Sequence, residues 1–174
     1  MSTAVDQSKR SLLRGKRSAV SFPVRPPWSQ TEPQFIDLCS RCGDCLPNCE
    51  TGILVKGDGG FPTVDFSRGE CTFCQHCVSA CKTGALSASI TPPWQLKAQI
   101  NPLCLTHQQV VCRSCADQCE TRAIRFTPVS GEVAKPLITA DLCTGCGACF
   151  DVCPTRAIQL TNTTSQGDSL HAGI

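Results

Sequence analysis

The chain has few of the residues from which large hydrophobic cores are built. It contains no tyrosine, and aromatic residues make up only 5% of its 174 positions. Charged residues account for 17%, and the formal net charge of +2 is too small for a protein that coats nucleic acid. No apolar run in the sequence approaches the roughly 18 residues that span a membrane. These shortages exclude a membrane channel, a DNA-packaging protein and an ordinary enzyme with one large apolar core.

Cysteine is the residue that is present in excess, at 16 of 174 positions. All of the cysteines fall into four groups of four, and three of the groups share the spacing C-x2-C-x2-C-x3-C. The third group along the chain is stretched to C-x7-C-x2-C-x3-C. In chain order, groups one to four are Cys39, Cys42, Cys45 and Cys49; Cys71, Cys74, Cys77 and Cys81; Cys104, Cys112, Cys115 and Cys119; and Cys143, Cys146, Cys149 and Cys153.

This spacing is typical of bacterial ferredoxins that bind [4Fe–4S] clusters. A loop with two residues between cysteines can wrap three corners of a cubane. The fourth cysteine is expected on the helix that leaves the loop, pointing toward a neighbouring cluster. Gly43, Gly145 and Gly147 allow tight turns beside the sulfurs. The sequence therefore predicts four [4Fe–4S] clusters, with all sixteen cysteines as ligands.

Zinc and disulfide bonds are the alternative uses of clustered cysteines. Structural zinc sites usually join two separated cysteine pairs, whereas each group here is compact. Disulfides require an oxidising compartment. The basic start of the chain is not followed by the apolar run of a secretory signal, so we expect a cytoplasmic protein with reduced thiols.

In the stretched third group, the identity of one metal ligand is open. Cys104 could be a bystander, with His107 in its place. The even division of sixteen thiols among four clusters favours Cys104. His76, between Cys74 and Cys77, is not expected to bind metal.

Internal repeats predict how the chain is organised. Each group ends in C-x-T-[GR]-[AI]-[LI], a pattern that indicates a short helix followed by a short strand. Glycine-bearing hairpins are predicted between groups one and two and between groups three and four. Pro-Pro-Trp precedes group one and recurs before group three. We predict an α+β fold of small ferredoxin-like modules in tandem duplication: a basic flexible arm (1–25), two-cluster modules at 28–90 and 94–162, and a polar tail (163–174).

Two pairings of the groups are compatible with the sequence. Sequential pairing joins groups one and two, and groups three and four, by exchanging the fourth cysteine of each group. The likeness of Asp37-Leu38-Cys39 to Asp141-Leu142-Cys143 would instead fit a nested arrangement, with group one beside group four. The hairpins and the Pro-Pro-Trp repeat favour sequential pairing.

The chain shows no substrate site, because it has no nucleotide-binding glycine fingerprint and its three histidines are isolated. We therefore predict an iron–sulfur protein that acts on partners and is not an enzyme. The arm carries six basic residues and Asp6, a net charge of 6 − 1 = +5. Such an arm suits electrostatic steering to a partner.

Four features of the chain are distinctive together: the basic arm, the segment Arg25-Pro26-Pro27-Trp28, the four cysteine groups, and the stretched third group with Cys112-Arg-Ser-Cys115. In these features the chain resembles the NapF-type ferredoxins, which are accessory proteins of periplasmic nitrate reductase systems. The resemblance implies four [4Fe–4S] clusters held by the sixteen cysteines and a cytoplasmic location. It also implies contact with the catalytic molybdoprotein subunit, during maturation before export. The alternative is an electron-transfer subunit of a quinol- or dehydrogenase-linked reductase, with other redox subunits as partners; neither nucleic acid nor a membrane span is expected. The chain departs from the general ferredoxin pattern where Glu50, Lys82 and Glu120 replace proline after the fourth cysteine.

Overall fold

The computed structural model describes residues 23–162, and within them every helix and strand is short. The predicted tail and all of the predicted arm before Pro23 lie outside the described residues. The longest elements have seven residues, because the cysteine loops interrupt the chain so often. In chain order the elements are α1 (Glu32–Leu38), β1 (Leu54–Lys56), β2 (Pro62–Val64), α2 (His76–Ala80), β3 (Leu96–Ile100), α3 (Ser114–Asp117), β4 (Ile124–Val129), β5 (Glu132–Ile138), α4 (Ala148–Asp151) and β6 (Ile158–Asn162).

The strands form three antiparallel pairs. β1 pairs with β2, and β4 pairs with β5, with an irregular register between Thr127 and Val129. These are the two predicted hairpins, and both are confirmed. The third pair joins β3 to β6, with Ile100 opposite Ile158. The sequence predicts no strand at residues 96–100, because a pairing between strands so far apart carries no local turn signal.

The fourth cysteine of each group lies just beyond a helix or turn, so its predicted position on a helix was wrong. Cys81 directly follows α2, whereas Cys119 and Cys153 lie two residues beyond α3 and α4. In group one, residues 44–48 form turns where the other groups have a helix. The amide of each fourth cysteine donates to the carbonyl three residues earlier, as Cys81 does to Val78, so the chain tightens at this point.

The residue after the shared threonine, glycine or arginine, has a left-handed conformation in all four repeats. Gly52 and Gly84 have φ values of 65° and 75°. Arg122 and Arg156 take the same conformation, with φ values of 53° and 51°, although a left-handed residue with a side chain is strained. The turn reverses the chain after each fourth cysteine, which places the following residues, such as Ile53 and Ile124, in the core.

The core is divided into small clusters that include the cysteines themselves. One cluster contains Phe35, Phe61 and Leu86 together with Cys45 and Cys77. A second contains Ala98, Ile124 and Ile158 with Cys149, and a third contains Ile53, Phe66 and Leu96. The interior is therefore built around sulfur atoms, in a mix of short helices and small sheets that is consistent with small ferredoxin modules.

Candidate metal centres

The fourth cysteine of one group joins the first three cysteines of its neighbour. One pocket is lined by Cys49 of group one together with Cys71, Cys74 and Cys77 of group two. A second pocket is lined by Cys153 of group four together with Cys104, Cys112 and Cys115 of group three. We number each quartet by the group that supplies its first three cysteines. These pockets are quartets 2 and 3.

The remaining cysteines form the reciprocal sets. The sulfur of Cys149 lies near those of Cys143, Cys146 and Cys119, and also near that of Cys115, which already lines quartet 3. The other three therefore join Cys149 in quartet 4. Cys39 and Cys42 lie near Cys45, as does Cys77 of quartet 2, and both Cys49 and Cys81 pack against the buried cluster that contains Cys45. Because Cys49 and Cys77 already line quartet 2, Cys81 is the remaining fourth member of quartet 1. Cys49 and Cys81 both stay within the first half of the chain, as sequential pairing predicts and nested pairing does not.

Burial and crowding disfavour negative charge at the inner sulfurs. Burial, with added repulsion from neighbouring sulfurs, raises the pKa of Cys45, Cys71 and Cys149 to about 12. The same causes raise the pKa of Cys77 and Cys115 to about 11. A thiolate is the form that binds metal, so a positively charged group must replace the protons when four such sulfurs are brought together. Four converging soft sulfur donors fit an iron–sulfur cluster.

The shared threonine of the repeat lies beside the sulfur of each fourth cysteine. The Oγ1–Sγ distances are 3.6 Å for Thr51 and Cys49, 3.7 Å for Thr83 and Cys81, 3.6 Å for Thr121 and Cys119, and 3.8 Å for Thr155 and Cys153. Burial alone would raise the pKa of Cys49 and Cys81, but hydrogen bonds from these hydroxyls and from backbone amides lower it. The sequence showed the repeated threonine without revealing its role.

Backbone amides also point at cysteine sulfurs. The amide of Ala157 donates to Cys153 Sγ at 3.2 Å, and the amide of Phe73 donates to Cys71 Sγ at 3.4 Å. Ala98 of β3 donates to Cys143 Sγ at 3.4 Å. Hydrogen bonds to the sulfurs are among the features that set the potential of an iron–sulfur cluster. The unpredicted strand β3 thus supplies one donor to quartet 4.

The structure also places the two histidines that lie within or beside the cysteine groups, His76 and His107. Cys104 lines the pocket of quartet 3, whereas the exposed His107 is not part of that lining. Thr106, which is fully buried, lies 3.3 Å from Cys104 Sγ through its hydroxyl. His76 Nδ1 lies 3.2 Å from Glu50 Oε1 on the exposed rim of quartet 2. These placements bring Cys104, and not His107, into the third sulfur quartet.

Replacing Thr51 by valine tests the role of the shared threonine. Thr51→Val removes the hydroxyl near Cys49 at nearly constant volume, so the reduced, more negative state of quartet 2 loses a stabilising hydrogen bond. We expect one midpoint potential to fall by tens of millivolts, since a tenfold change in a one-electron equilibrium is about 59 mV. A redox titration followed by electron paramagnetic resonance (EPR) measures this shift.

Thr51→Ser is the matched control, because it keeps the hydroxyl and should leave that potential near its original value. Equal potentials for the valine and serine variants would show that the hydroxyl has no influence on the cluster.

Comparison with known proteins defines the class first. A family described as the 4Fe–4S dicluster domain matches twice, at residues 38–85 and 110–157. The chain is thus a ferredoxin-type iron–sulfur protein with tandem dicluster domains, a class of electron carriers that bind [4Fe–4S] clusters. The second match begins after Cys104, so the place of that residue is known from the structure alone.

The relatives narrow the class to a family. The chain is 42% identical over 141 residues to the ferredoxin-type protein NapF of Escherichia coli K12, covering 81% of this chain and 86% of that protein. It is 46% identical over 153 residues to NapF of Haemophilus influenzae, covering 82% and 87%. The chain belongs to the NapF family of ferredoxin-type proteins. A methylamine utilization ferredoxin-type protein, MauM of Methylobacillus flagellatus, is 31% identical over 153 residues, covering 78% and 65%.

The helices of residues 23–162 include none that is long and apolar enough to cross a membrane.

Proposed function

We propose that the chain is a cytoplasmic protein with four [4Fe–4S] clusters that assists maturation of the catalytic molybdoprotein subunit of periplasmic nitrate reductase before its export. The observation that carries this proposal is the convergence of eight cysteines into two pockets, four in each, in a chain that is 42% to 46% identical to NapF proteins over most of its length. All sixteen cysteines are the proposed ligands, in two-cluster modules at 28–90 and 94–162.

The residues around the quartets would hold the clusters and adjust their potentials. When bound, each cluster supplies one-electron transfer. The short turns of each loop orient three sulfurs, and the chain beyond each group returns a fourth. The threonine hydroxyls and the amides of Phe73, Ala98 and Ala157 would favour the reduced, more negative state of a bound cluster by donating to sulfur.

Cluster binding would also change the charge of the molecule. An oxidised cubane with four thiolates carries a charge of −2, so four of them lower the net charge from +2 to about −6. Because residues 1–25 hold +5, the remainder of the chain would carry about −11. A basic arm on an acidic body favours fast, salt-sensitive association with a charged partner.

The second candidate function is that of an electron-transfer subunit of a quinol- or dehydrogenase-linked reductase. The observation in its favour is the relative that is named for methylamine utilization, which shows a similar scaffold in a protein named for a different system. A general role as an electron carrier would account for relatives named NapF and for relatives named for methylamine utilization.

Capture experiments distinguish these two functions. The cluster-loaded protein is immobilised without oxygen and offered the export precursor of the nitrate reductase catalytic subunit, the mature subunit or membrane redox subunits. Selective retention of the precursor is expected for a maturation factor. Retention of membrane redox subunits, with none of the precursor, would contradict the proposal and favour the carrier.

Neutralising the basic arm should weaken this capture. Lys9, Arg10, Arg14, Lys16 and Arg17 are replaced together by glutamine, which leaves the visible spectrum of the clusters intact. We expect retention of the precursor to fall several-fold at low salt, because electrostatic steering is lost. Raised salt should weaken capture by the unaltered protein in the same way.

A charge-matched variant is the control. Arg68, Lys82, Arg122, Arg125 and Arg156 are exposed, and replacing these five by glutamine removes the same total charge from the body. This variant should retain the precursor. Equal retention by the arm variant and the original protein, at low and high salt, would leave the body as the docking surface.

A further inference from the structure

The two halves of the chain meet where groups two and four touch. The amide of Cys71, in group two, donates to the carbonyl of Cys146, in group four, at 2.8 Å. One hydrogen bond therefore links residues of quartets 2 and 4. The route from sulfur to sulfur through it runs along the side chain and backbone of Cys71, across the hydrogen bond, and out along Cys146.

Aromatic side chains hold this contact in place. Phe66 is buried, with its ring centroid 5.8 Å from that of Trp94 and 6.3 Å from that of Phe150 in α4. Phe73, inside the loop of group two, lies 5.7 Å from Trp94 and 6.1 Å from Trp28, both in edge-to-face geometry. Five of the nine aromatic residues of the chain thus form a continuous series at the junction.

The repeated Pro-Pro-Trp segments belong to the same junction. The amide of Trp28 donates to the carbonyl of Pro93 at 2.6 Å, so the two copies lie side by side. Trp94 Nε1 donates to the carbonyl of Thr144, within the loop of group four, at 2.8 Å. The repeat that introduces each half in sequence therefore joins the halves in space.

The close approach of the two halves explains why group four has glycine at positions 145 and 147. Their backbone conformation alone would not require glycine. Gly145 and Gly147 have φ values of 75° and 92°. The corresponding positions of groups one and two also have positive φ, yet most of them carry side chains: Arg41, Phe73 and Gln75, with Gly43 as the exception. A Cβ on Gly147 would overlap the Phe66 ring, and one on Gly145 would overlap the backbone of Leu96.

We propose that Gly147 and Phe66 position quartets 2 and 4 as the electron crossing between the two halves, so that the protein conducts electrons through the order 1, 2, 4, 3. This inference rests on the proposed cluster ligands. Within each half, exchange of the fourth cysteines joins quartet 1 to quartet 2 and quartet 4 to quartet 3. The junction supplies the missing link between quartets 2 and 4. In each crossing, one electron leaves a reduced cluster of one half and enters an oxidised cluster of the other.

The outer quartets then become the two ends of the path. Quartet 1 contains the exposed Cys42, and the exposed Leu103 and Val111 lie beside cysteines of quartet 3. Cys74 of the inner quartet 2 is exposed as well, so the order of the path, and not exposure, makes quartets 1 and 3 its ends. A donor and an acceptor could therefore dock at opposite ends at the same time. Two independent carriers in one chain would have no need of the junction.

The variant Gly147→Ala tests the crossing. The added methyl group should push the loop of group four away from Phe66 and break the hydrogen bond between Cys71 and Cys146. In the fully reduced, cluster-loaded protein, we expect loss of the part of the EPR line broadening that arises from spin interaction between quartets 2 and 4. Spin interaction within each half should persist.

Gly43→Ala is the matched control. Gly43 occupies the same place in group one with a φ of 84°, and its added Cβ would meet only Leu46 Cδ1 at 3.8 Å, an ordinary contact. Both variants therefore carry similar backbone strain, but only one disturbs the junction. The Gly43→Ala spectrum should match that of the original protein.

Iron and sulfide contents separate failure of this inference from failure of the proposed ligands. Fewer than four clusters in the original protein would contradict the ligand assignment. Four clusters in Gly147→Ala with unchanged line broadening would overturn the crossing. If Gly147→Ala loses iron, Phe66→Leu is the second test, because it opens the same contact without adding an atom to the loop. The Phe66→Leu protein should lose the same EPR line broadening. An unchanged EPR spectrum of that variant would overturn the crossing.

Discussion

Removal of iron should abolish the cooperative fold of the protein. The structure has only short two-stranded sheets and helices of four to seven residues among residues 23–162. Two of its three core clusters have buried cysteines as members, and cysteines pack against the third. With the clusters gone, buried sulfurs would either stay protonated around an emptied centre or be exposed to water. We expect the apoprotein to lose most of its native circular dichroism signal.

The physical reason is that metal binding is folding energy in small metalloproteins. Structural zinc contributes roughly 10–16 kcal/mol in zinc-finger peptides, which is comparable to the whole stability of a typical domain, about 5–15 kcal/mol. Chelation of iron without oxygen, followed by thermal scans in the far ultraviolet, measures the effect. Rebuilding the clusters should restore the spectrum. A cooperative, native-like melt of the apoprotein would show that the apolar core suffices.

Substituting pairs of cysteines should reveal which sulfurs share a cluster. Cys49→Ala and Cys77→Ala fall in quartet 2, so either one should remove one cluster, and the double variant should remove no more. Cys45→Ala falls in quartet 1, so combining it with Cys49→Ala should remove two clusters. Effects within one unit are non-additive, whereas effects on separate units add.

Native mass spectrometry without oxygen counts the clusters in each variant. Cys45 and Cys49 belong to the same group in sequence but to different quartets in the structure, so this comparison separates the two assignments. If each group held its own cluster, Cys45→Ala with Cys49→Ala would remove one cluster and Cys49→Ala with Cys77→Ala would remove two. That result would contradict the crosswise arrangement.

Local features of the fold could be predicted because their causes are local. The hairpins between groups one and two and between groups three and four follow from glycine turns flanked by β-prone residues. The turn after each fourth cysteine follows from the Thr-Gly pair in two of the repeats. Because the other two repeats have the same pattern, the same turn is expected at Arg122 and Arg156. The helix expected at each fourth cysteine was wrong in detail, because the chain tightens one or two residues before the sulfur.

Features that depend on distant parts of the chain escaped prediction. Strand β3 was not predicted, although it pairs with β6 and its Ala98 amide donates to the sulfur of Cys143. The threonine of the repeat was visible as a pattern, yet its contact with sulfur depends on how the chain curls after the cysteine. Gly145 and Gly147 were assigned to tight turns, whereas the backbone of Leu96 and the ring of Phe66, both distant in sequence, explain why no Cβ is tolerated.

The sequence by itself determined the chemistry of the protein: spacing between cysteines is a local property, and four thiols within a short segment specify an iron–sulfur ligand set wherever that segment lies. It also indicated the sequential pairing, through repeats and hairpins that bring neighbouring groups together. The tertiary structure alone decided how the halves meet, because the contact of Phe66 with Gly147 and the bond from Cys71 to Cys146 join residues that no local pattern connects. Packing between distant surfaces depends on shape, and shape exists only once the chain has folded.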